Sequence, residues 1–590
     1  MSETNDSAQG PESNVGIGAQ REQLRNFVSS VLDSYERMPM ENRKYAIVVL
    51  FPTLFLFVLS VVGAIALPLP VLVRIPIFLL GLLMLLAGLL YPRLLVEQQR
   101  RGLENQLHLV ITHLTVLSTT NIDRVAVFRQ LGREEEYGEL AVEIRRITEL
   151  VDTWNQSLDD ALRRRARLVP SKELGDFLDR LAYSLNAGQS LDDFLLGEQE
   201  TMIDKYVTVY EGALGNLEVM KDLYLSMILS MTFAIINAIV LPILTGTDAT
   251  MTIAAVIVLF IFVQLGFYFV IRTMSPYDPL WYQQDDYRTK KDRQIDIALY
   301  GAVALSMTFI GVLGLGTMGW TPIGQSVQQV MLDTPIPLLI AIPVTPLAVP
   351  GLVARHHENG VKERDEEYPG FIRALGASES AKQATTRAVL ETLREKDFGA
   401  LSREIDRLYV RLNMRVAPDR SWYFFSAETS SYLIQKFSEM YLVGRQMGGT
   451  PKQLGELISS NMNEVIKLRR QRQQATVTLI GVLYGITASS AFAFFIGLEV
   501  VEILATFSTN LNLEQLEFGK LIYAGVYDIP LIEYLLTLII LFNGVLSSLM
   551  IRMVDGGHKT NAYLHFVVLV WIGCGSAVLT SSLAGGLISV

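Results

Sequence analysis

The sequence predicts an all-α fold: a polytopic helical membrane protein of about nine transmembrane helices, with two helical-bundle cytoplasmic domains arising from internal duplication. Three observations predict it. Nine stretches of roughly 20 residues are almost purely apolar, the length a helix needs to cross a hydrocarbon core of about 30 Å. Two intervening segments are charged and carry apolar residues at spacings of three and four, with none of the alternating β-branched runs that mark strands. A short phrase also occurs twice. It reads Tyr137-Gly-Glu-Leu-Ala-Val-Glu-Ile-Arg-Arg-Ile147 first and Phe398-Gly-Ala-Leu-Ser-Arg-Glu-Ile-Asp-Arg-Leu408 later, with five of eleven positions identical at an offset of 261.

The chain divides in order as follows. Residues 1–44 are a polar tail, read as disordered over the first 22 residues, and then an amphipathic helix at 24–35 whose Leu24, Phe27, Val28, Val31, Leu32 and Tyr35 share one face. That helix either lies on the membrane surface or caps a domain. Residues 45–92 hold two spans, 45–67 and 71–92, folded back at the Pro-rich corner Leu67-Pro-Leu-Pro-Val-Leu72. Residues 93–222 form the first cytoplasmic domain and 223–272 the next pair of spans, 225–245 and 251–271. A linker at 273–294 leads to spans 295–317 and 334–354 within 295–354. The second cytoplasmic domain is 355–474, and 475–590 holds three spans, 475–498, 531–551 and 563–588.

Basic residues orient these spans, because loops rich in Lys and Arg stay on the cytoplasmic side. Arg43, Lys44, Arg93, Arg100, Arg101, Arg272, the run from Arg288 to Arg293, Arg355, the run from Lys467 to Arg472, Arg552 and Lys559 all fall on one side of a nine-span chain. The opposite loops 246–250 and 318–333 have no Lys or Arg, and 506–530 has only Lys520. The N-terminus and both large domains are therefore expected in the cytoplasm, with the C-terminus outside a cell membrane crossed many times.

Each large domain reads as a helix bundle. Turns are expected at Val169-Pro170, at Asn186-Ala-Gly188, at Tyr368-Pro-Gly370, at Ala417-Pro418 and at Met447-Gly-Gly-Thr-Pro451. Ser190 and Thr450 follow glycine stops in positions to cap new helices. Within the repeated phrase, Leu140, Ile144 and Ile147 share a face, as do Leu401, Ile405 and Leu408. Gly138 and Gly399 permit a tight turn into the helix or a close crossing. Glu143 with Arg146, and Glu404 with Arg407, are spaced for i, i+3 ion pairs; they either bind a partner or stay solvated. The clusters at 288–293 and 467–472 adjoin spans and read as topology and headgroup contacts. The cluster Arg163, Arg164, Arg165 and Arg167 lies inside a soluble domain, where it meets an acidic partner or pairs with Asp159 and Asp160.

Several function classes have no support. A net charge of −10 opposes general nucleic-acid binding. The lone cysteine, Cys574, allows neither a disulfide framework nor a Cys-based metal site within one chain. No phosphate loop, His-Glu-x-x-His or Gly-x-Ser-x-Gly occurs, so neither an enzyme nor a cofactor is expected. A transporter, the alternative of another class, keeps ionisable residues in mid-span; here Asp296, Glu499, Glu502 and Glu533 sit at span ends. Gly481-Val-Leu-Tyr-Gly485 is a small-xxx-small pattern that lets helices approach closely, within the chain or between copies, with intrachain packing the favoured reading.

Paired spans, a helical domain, paired spans and a repeat of the whole resemble the archaeal platform proteins of the type II secretion, type IV pilus and archaellum superfamily. The phrases around Glu143 and Glu404, each followed by a glycine turn, resemble the repeated GspF-type domain. Trp422-Tyr-Phe-Phe-Ser-Ala-Glu-Thr-Ser-Ser431, and the stretch from Glu464 to Glu502, are similar to the archaellum branch. The resemblance implies a platform without a catalytic site that couples a hexameric secretion ATPase to insertion of pilin-like or archaellin subunits into a filament, in an archaellum or alternatively in an adhesion pilus or secretion system. It implies a homodimer working with further assembly components. On this reading Glu143, Arg145, Arg146, Arg163, Arg164, Glu404 and Arg407 serve ATPase docking or domain rigidity.

Overall fold

Apolar periodicity becomes helix almost everywhere in the computed structural model, which describes residues 35, 42–66, 71–120, 122–283, 287–318, 322–510 and 527–588. Among these residues nine helices are long and apolar enough to cross a membrane. No strand forms among them; Trp281 and Ser431 make an isolated antiparallel bridge. The expected amphipathic helix at 24–35 lies outside the described residues except for Tyr35, as do the disordered tail and the corner at 67–70.

The chain forms two units, 1–103 and 104–590. In the first, Phe51–Ala66 (α1) and Val71–Glu104 (α2) make the expected hairpin. Small residues bring them together: a Cβ on Gly81 would overlap Ser60, and one on Gly88 would overlap Thr53. Advancing along α2 while retreating along α1 is the antiparallel order. Tyr45 ties the pair by donating to the Gly88 carbonyl at 2.8 Å.

In the second unit, the first large domain packs Leu107–Ser118 (α3), Arg124–Arg133 (α4), Glu139–Asp152 (α5), Leu158–Ala166 (α6) and Lys172–Asn186 (α7). Leu140, Ile144 and Ile147 enter its core with Phe128, Leu131 and Phe177. Gly138 and Gly399 hold φ of 53° and 51°, the left-handed region where a side chain would strain the backbone. Ser171 caps α7 by accepting from Leu174 N, and Ser190 caps Leu191–Val240 (α8) by accepting from Asp193 N. Span Ala249–Met274 (α9) returns.

Beyond the linker come the span Lys290–Met318 (α10) and the short helix Ile336–Val344 (α11), which opens the span candidate Ile336–Lys382. Pro343 and Pro346 tighten the chain after α11 into the 3₁₀ turn Thr345–Leu347 before Ala348–Lys382 (α12) continues into the second large domain. The second large domain adds Thr386–Leu393 (α13), Ser402–Asn413 (α14), Pro418–Thr429 (α15) and Tyr432–Gln446 (α16). Pro451–Asn510 (α17), Ile529–Asp555 (α18) and Ala562–Ile588 (α19) complete the membrane part. Helices α7 and α16 have equal length, each is capped by a serine, and α8 and α17 begin at the same offset of 260 as α7 and α16.

Two expectations need correction. Tyr368-Pro-Gly370 does not end a helix, since α12 runs through Pro369. Losing one hydrogen bond there is outweighed by the complete burial of Tyr368, Phe371 and Ile372 on either side. Gly481 and Gly485 face open space, with nothing within 4 Å of an added Cβ, so this pattern does not pack against another helix among the described residues.

A candidate functional site at the junction of the large domains

The repeated phrase positions its two glutamates alike and partners them differently. Glu143 is buried at 4% exposure on α5. Arg146, one turn on, pairs with Oε1, and Arg165 arrives from α6 to donate to Oε2 at 3.1 Å from Nε. A carboxylate enclosed by two guanidiniums ties α5 to α6. Glu404 is equally buried at 5%, but the expected pair with Arg407 does not form. Arg407 lies 3.7 Å from Glu428 on α15, which also takes Arg411 at 2.5 Å. Glu428, outside the phrase, captures both arginines by standing beside the exposed face of α14.

The arginine cluster divides as well. Arg165 turns inward to Glu143, whereas Arg163 and Arg164 form no ion pair among the described residues. Of the two carboxylates expected for them, Asp159 and Asp160, neither pairs with them among the described residues; Asp160 instead accepts from Ser157 at 2.9 Å in the cap of α6. Arg145 projects from α5 into solvent, its stem lying against Gly132 of α4.

Between the two domains lies a second charged cluster. Lys436 of α16, 1% exposed, pairs with Glu136 from the turn before α5 and stands 4.8 Å over the Tyr137 ring. Tyr282 of the linker donates to Glu136 at 3.1 Å and Gln435 to its other oxygen at 3.3 Å. Tyr137 and His113 share a 3.0 Å hydrogen bond behind them. Glu439 lies 3.9 Å from Lys436. Burial pushes its carboxyl up to about 8; Lys436 opposes the rise, and Glu134 and Glu136 add to it. Helix α3 reinforces the contact, with Asn461 donating to Thr112 at 2.9 Å.

The linker is fastened to the same assembly. Arg469 grips Asp278 through two bonds of 2.8 and 2.6 Å and reaches Asp365 at 2.7 Å. Burial alone would raise Asp278, but the charge and bonds of Arg469 hold it below the usual carboxylate range. Arg472 donates to Asp278 O at 2.9 Å and Met553 O at 3.0 Å, and also bonds Val554 O, so it occupies the orphan carbonyls ending α18. The 467–472 run is thus more than a headgroup contact: Arg469 and Arg472 turn inward because buried acceptors await them.

The type II secretion system protein F domain matches residues 110–237, from α3 into α8, and so contains the Glu143 brace. Over nearly its whole length the chain resembles flagella accessory protein J. It is 32% identical to that of Methanocaldococcus jannaschii over 567 residues, covering 96% of this chain and 99% of the relative. It is 32% identical to that of Methanococcus voltae over 563 residues, covering 95% and 99%. The chain belongs to the flagella accessory protein J family. No solved structure matches it.

As a family member it is a multi-pass membrane platform protein of archaellum assembly. The stretch that carried this resemblance, Trp422 to Ser431, builds α15 and the cap of α16: Trp422 and Phe425 are core residues, and Ser431 accepts from Ile434 N at 3.1 Å. In this member of the flagella accessory protein J family, sequence reading missed Glu136, Lys436, Glu439 and Asp278. One available signal was a lysine at 436 on the otherwise apolar face shared by Leu433, Phe437 and Met440.

Proposed function

We propose that this protein is the archaellum platform through which a hexameric cytoplasmic ATPase drives insertion of pilin-like subunits into the filament. The observation that carries this is the pair of helices α8 and α17. With 50 and 60 residues, they extend about 75 and 90 Å at 1.5 Å per residue and run unbroken from each large domain into the membrane part. Such helices pass a domain displacement into the spans with no flexible joint to absorb it. Full-length family membership supports the same role.

The seven candidate residues then separate by environment. Glu143, Arg146, Glu404 and Arg407 serve rigidity, being buried or tied within the fold. Arg145, Arg163 and Arg164 serve docking, because their cations are uncommitted. Both large domains face the cytoplasm, the C-terminus lies outside, and two copies work together. The reversal Arg163→Glu with Arg164→Glu is expected to reduce co-purification of the ATPase at least tenfold, the scale of losing charge-assisted contacts, with equal protein in the membrane. Undiminished co-purification sinks the docking assignment.

A further inference from the structure

A cavity of about 310 Å³ opens between α8 and α17, within the range of small-molecule sites. Leu217, Ile271, Leu479 and Val554 give it an apolar wall. Gly215 keeps one side open, with nothing within 4 Å of an added Cβ. Glu218, Gln474 and Thr478 complete the rim. These positions lie where the spans at 225–245, 251–271, 475–498 and 531–551 meet the large domains, the level of lipid headgroups in that leaflet.

Two polar groups in the lining remain incompletely used. Lys221 is only 15% exposed, yet its ion pairs are loose, 3.8 Å to Glu218 and 3.5 Å to Asp222, and both carboxylates are mostly in solvent at 73% and 67%. Gln471 donates to Glu211 at 3.0 Å, while its buried Oε1 accepts no hydrogen bond from the protein. A sheltered ammonium calls for an anionic acceptor, a buried amide oxygen for a hydroxyl donor, and the apolar wall for a hydrocarbon chain.

We propose that this cavity binds one membrane lipid whose headgroup is anionic and bears a hydroxyl, its phosphate on Lys221, its hydroxyl on Gln471 and its chain along Leu217, Ile271 and Leu479. A free phosphate would leave the apolar wall uncovered. The bound lipid would wedge between the two long helices where they enter the membrane, making the stiffness of that pair depend on the surrounding bilayer.

The test uses the full-length protein, stripped of lipid and returned to phosphatidylcholine nanodiscs with and without phosphatidylglycerol, with retained lipid counted by native mass spectrometry. We expect one phosphatidylglycerol per chain, preferred over phosphatidylcholine. Lys221→Gln should cut that preference about tenfold, the scale of one charge-assisted contact, and Gly215→Trp should abolish retention by filling the cavity. If Gly215→Trp fails to insert, Thr478→Trp fills it from the opposite wall. Excess inorganic phosphate should not displace the lipid. Equal retention by wild type, Lys221→Gln and a filled variant overturns the proposal, as does displacement by phosphate.

Discussion

Lys436 is where the two large domains depend on a single charge. It is enclosed, and the carboxylates facing it outnumber it: Glu136 comes from the turn before α5 and Glu439 from its own helix, with Tyr137, Gln435 and Tyr282 around them and Glu134 beside Glu439. Burial disfavours the charged form of Glu439, and one ammonium does not offset that together with the charges of Glu134 and Glu136, so Glu439 keeps its proton to about pH 8, well above its ordinary 4.5. The sign follows. A carboxyl whose folded value is raised contributes stability that is full below the unfolded value and is lost as pH rises through the folded one. Backbone hydrogen exchange of α16 in the full-length protein, corrected for intrinsic rates, is therefore expected to lose protection as pH climbs from about 4.5 through 8. Glu439→Gln should flatten that dependence, and an unchanged slope in the variant would move the titrating group elsewhere.

At the level of elements, close helix crossings fix the second domain. A Cβ on Gly376 of α12 would stand 2.2 Å from the Pro451 carbonyl oxygen, and one on Gly455 of α17 would stand 2.7 Å from that of Ile372. Gly370, on the same helix as Gly376, faces open space. The two glycines should respond in opposite directions to the same change. Gly376→Ala should destabilise by about 2–3 kcal/mol, since backbone must move to admit the methyl. Gly370→Ala should stabilise by about 0.5–1 kcal/mol through helix propensity. Thermal unfolding in one detergent compares them directly. Most helices were legible from the spacing of residues such as Leu140, Ile144 and Ile147, because burial acts on local periodicity. Positive-φ glycines 138, 188, 399 and 448 were also legible, as turns or tight helix starts. Pro369 misled because packing by Tyr368 and Phe371 decides whether a proline ends a helix, and periodicity does not contain that packing. The sites fared by distance along the chain. Glu143 with Arg146 was visible at a spacing of three, Arg165 at a separation of 22 was not, and Glu136 with Lys436 is 300 residues apart.

For the whole molecule, orientation in the bilayer decides whether the large domains can meet a cytoplasmic motor at all. The argument is electrostatic. The positive-inside rule counts Lys and Arg close to the span ends, and the sequence pattern predicts all of these on the domain side except Arg74, which is able to snorkel, and Lys520. An inverted chain would place that whole basic excess beside the span ends on the outer side. Labelling a single cysteine reads this directly, because Cys574 is buried at 1% exposure and Cys574→Ser removes it as background. Asp333 is exposed between α10 and α11, and Glu395 is exposed in the second large domain between α13 and α14. In right-side-out vesicles a membrane-impermeant maleimide should label Asp333→Cys at once and Glu395→Cys only after detergent. The reverse pattern would put the domains outside, beyond the reach of an ATPase, and would end the motor-coupled reading whatever the arginines on α6 do.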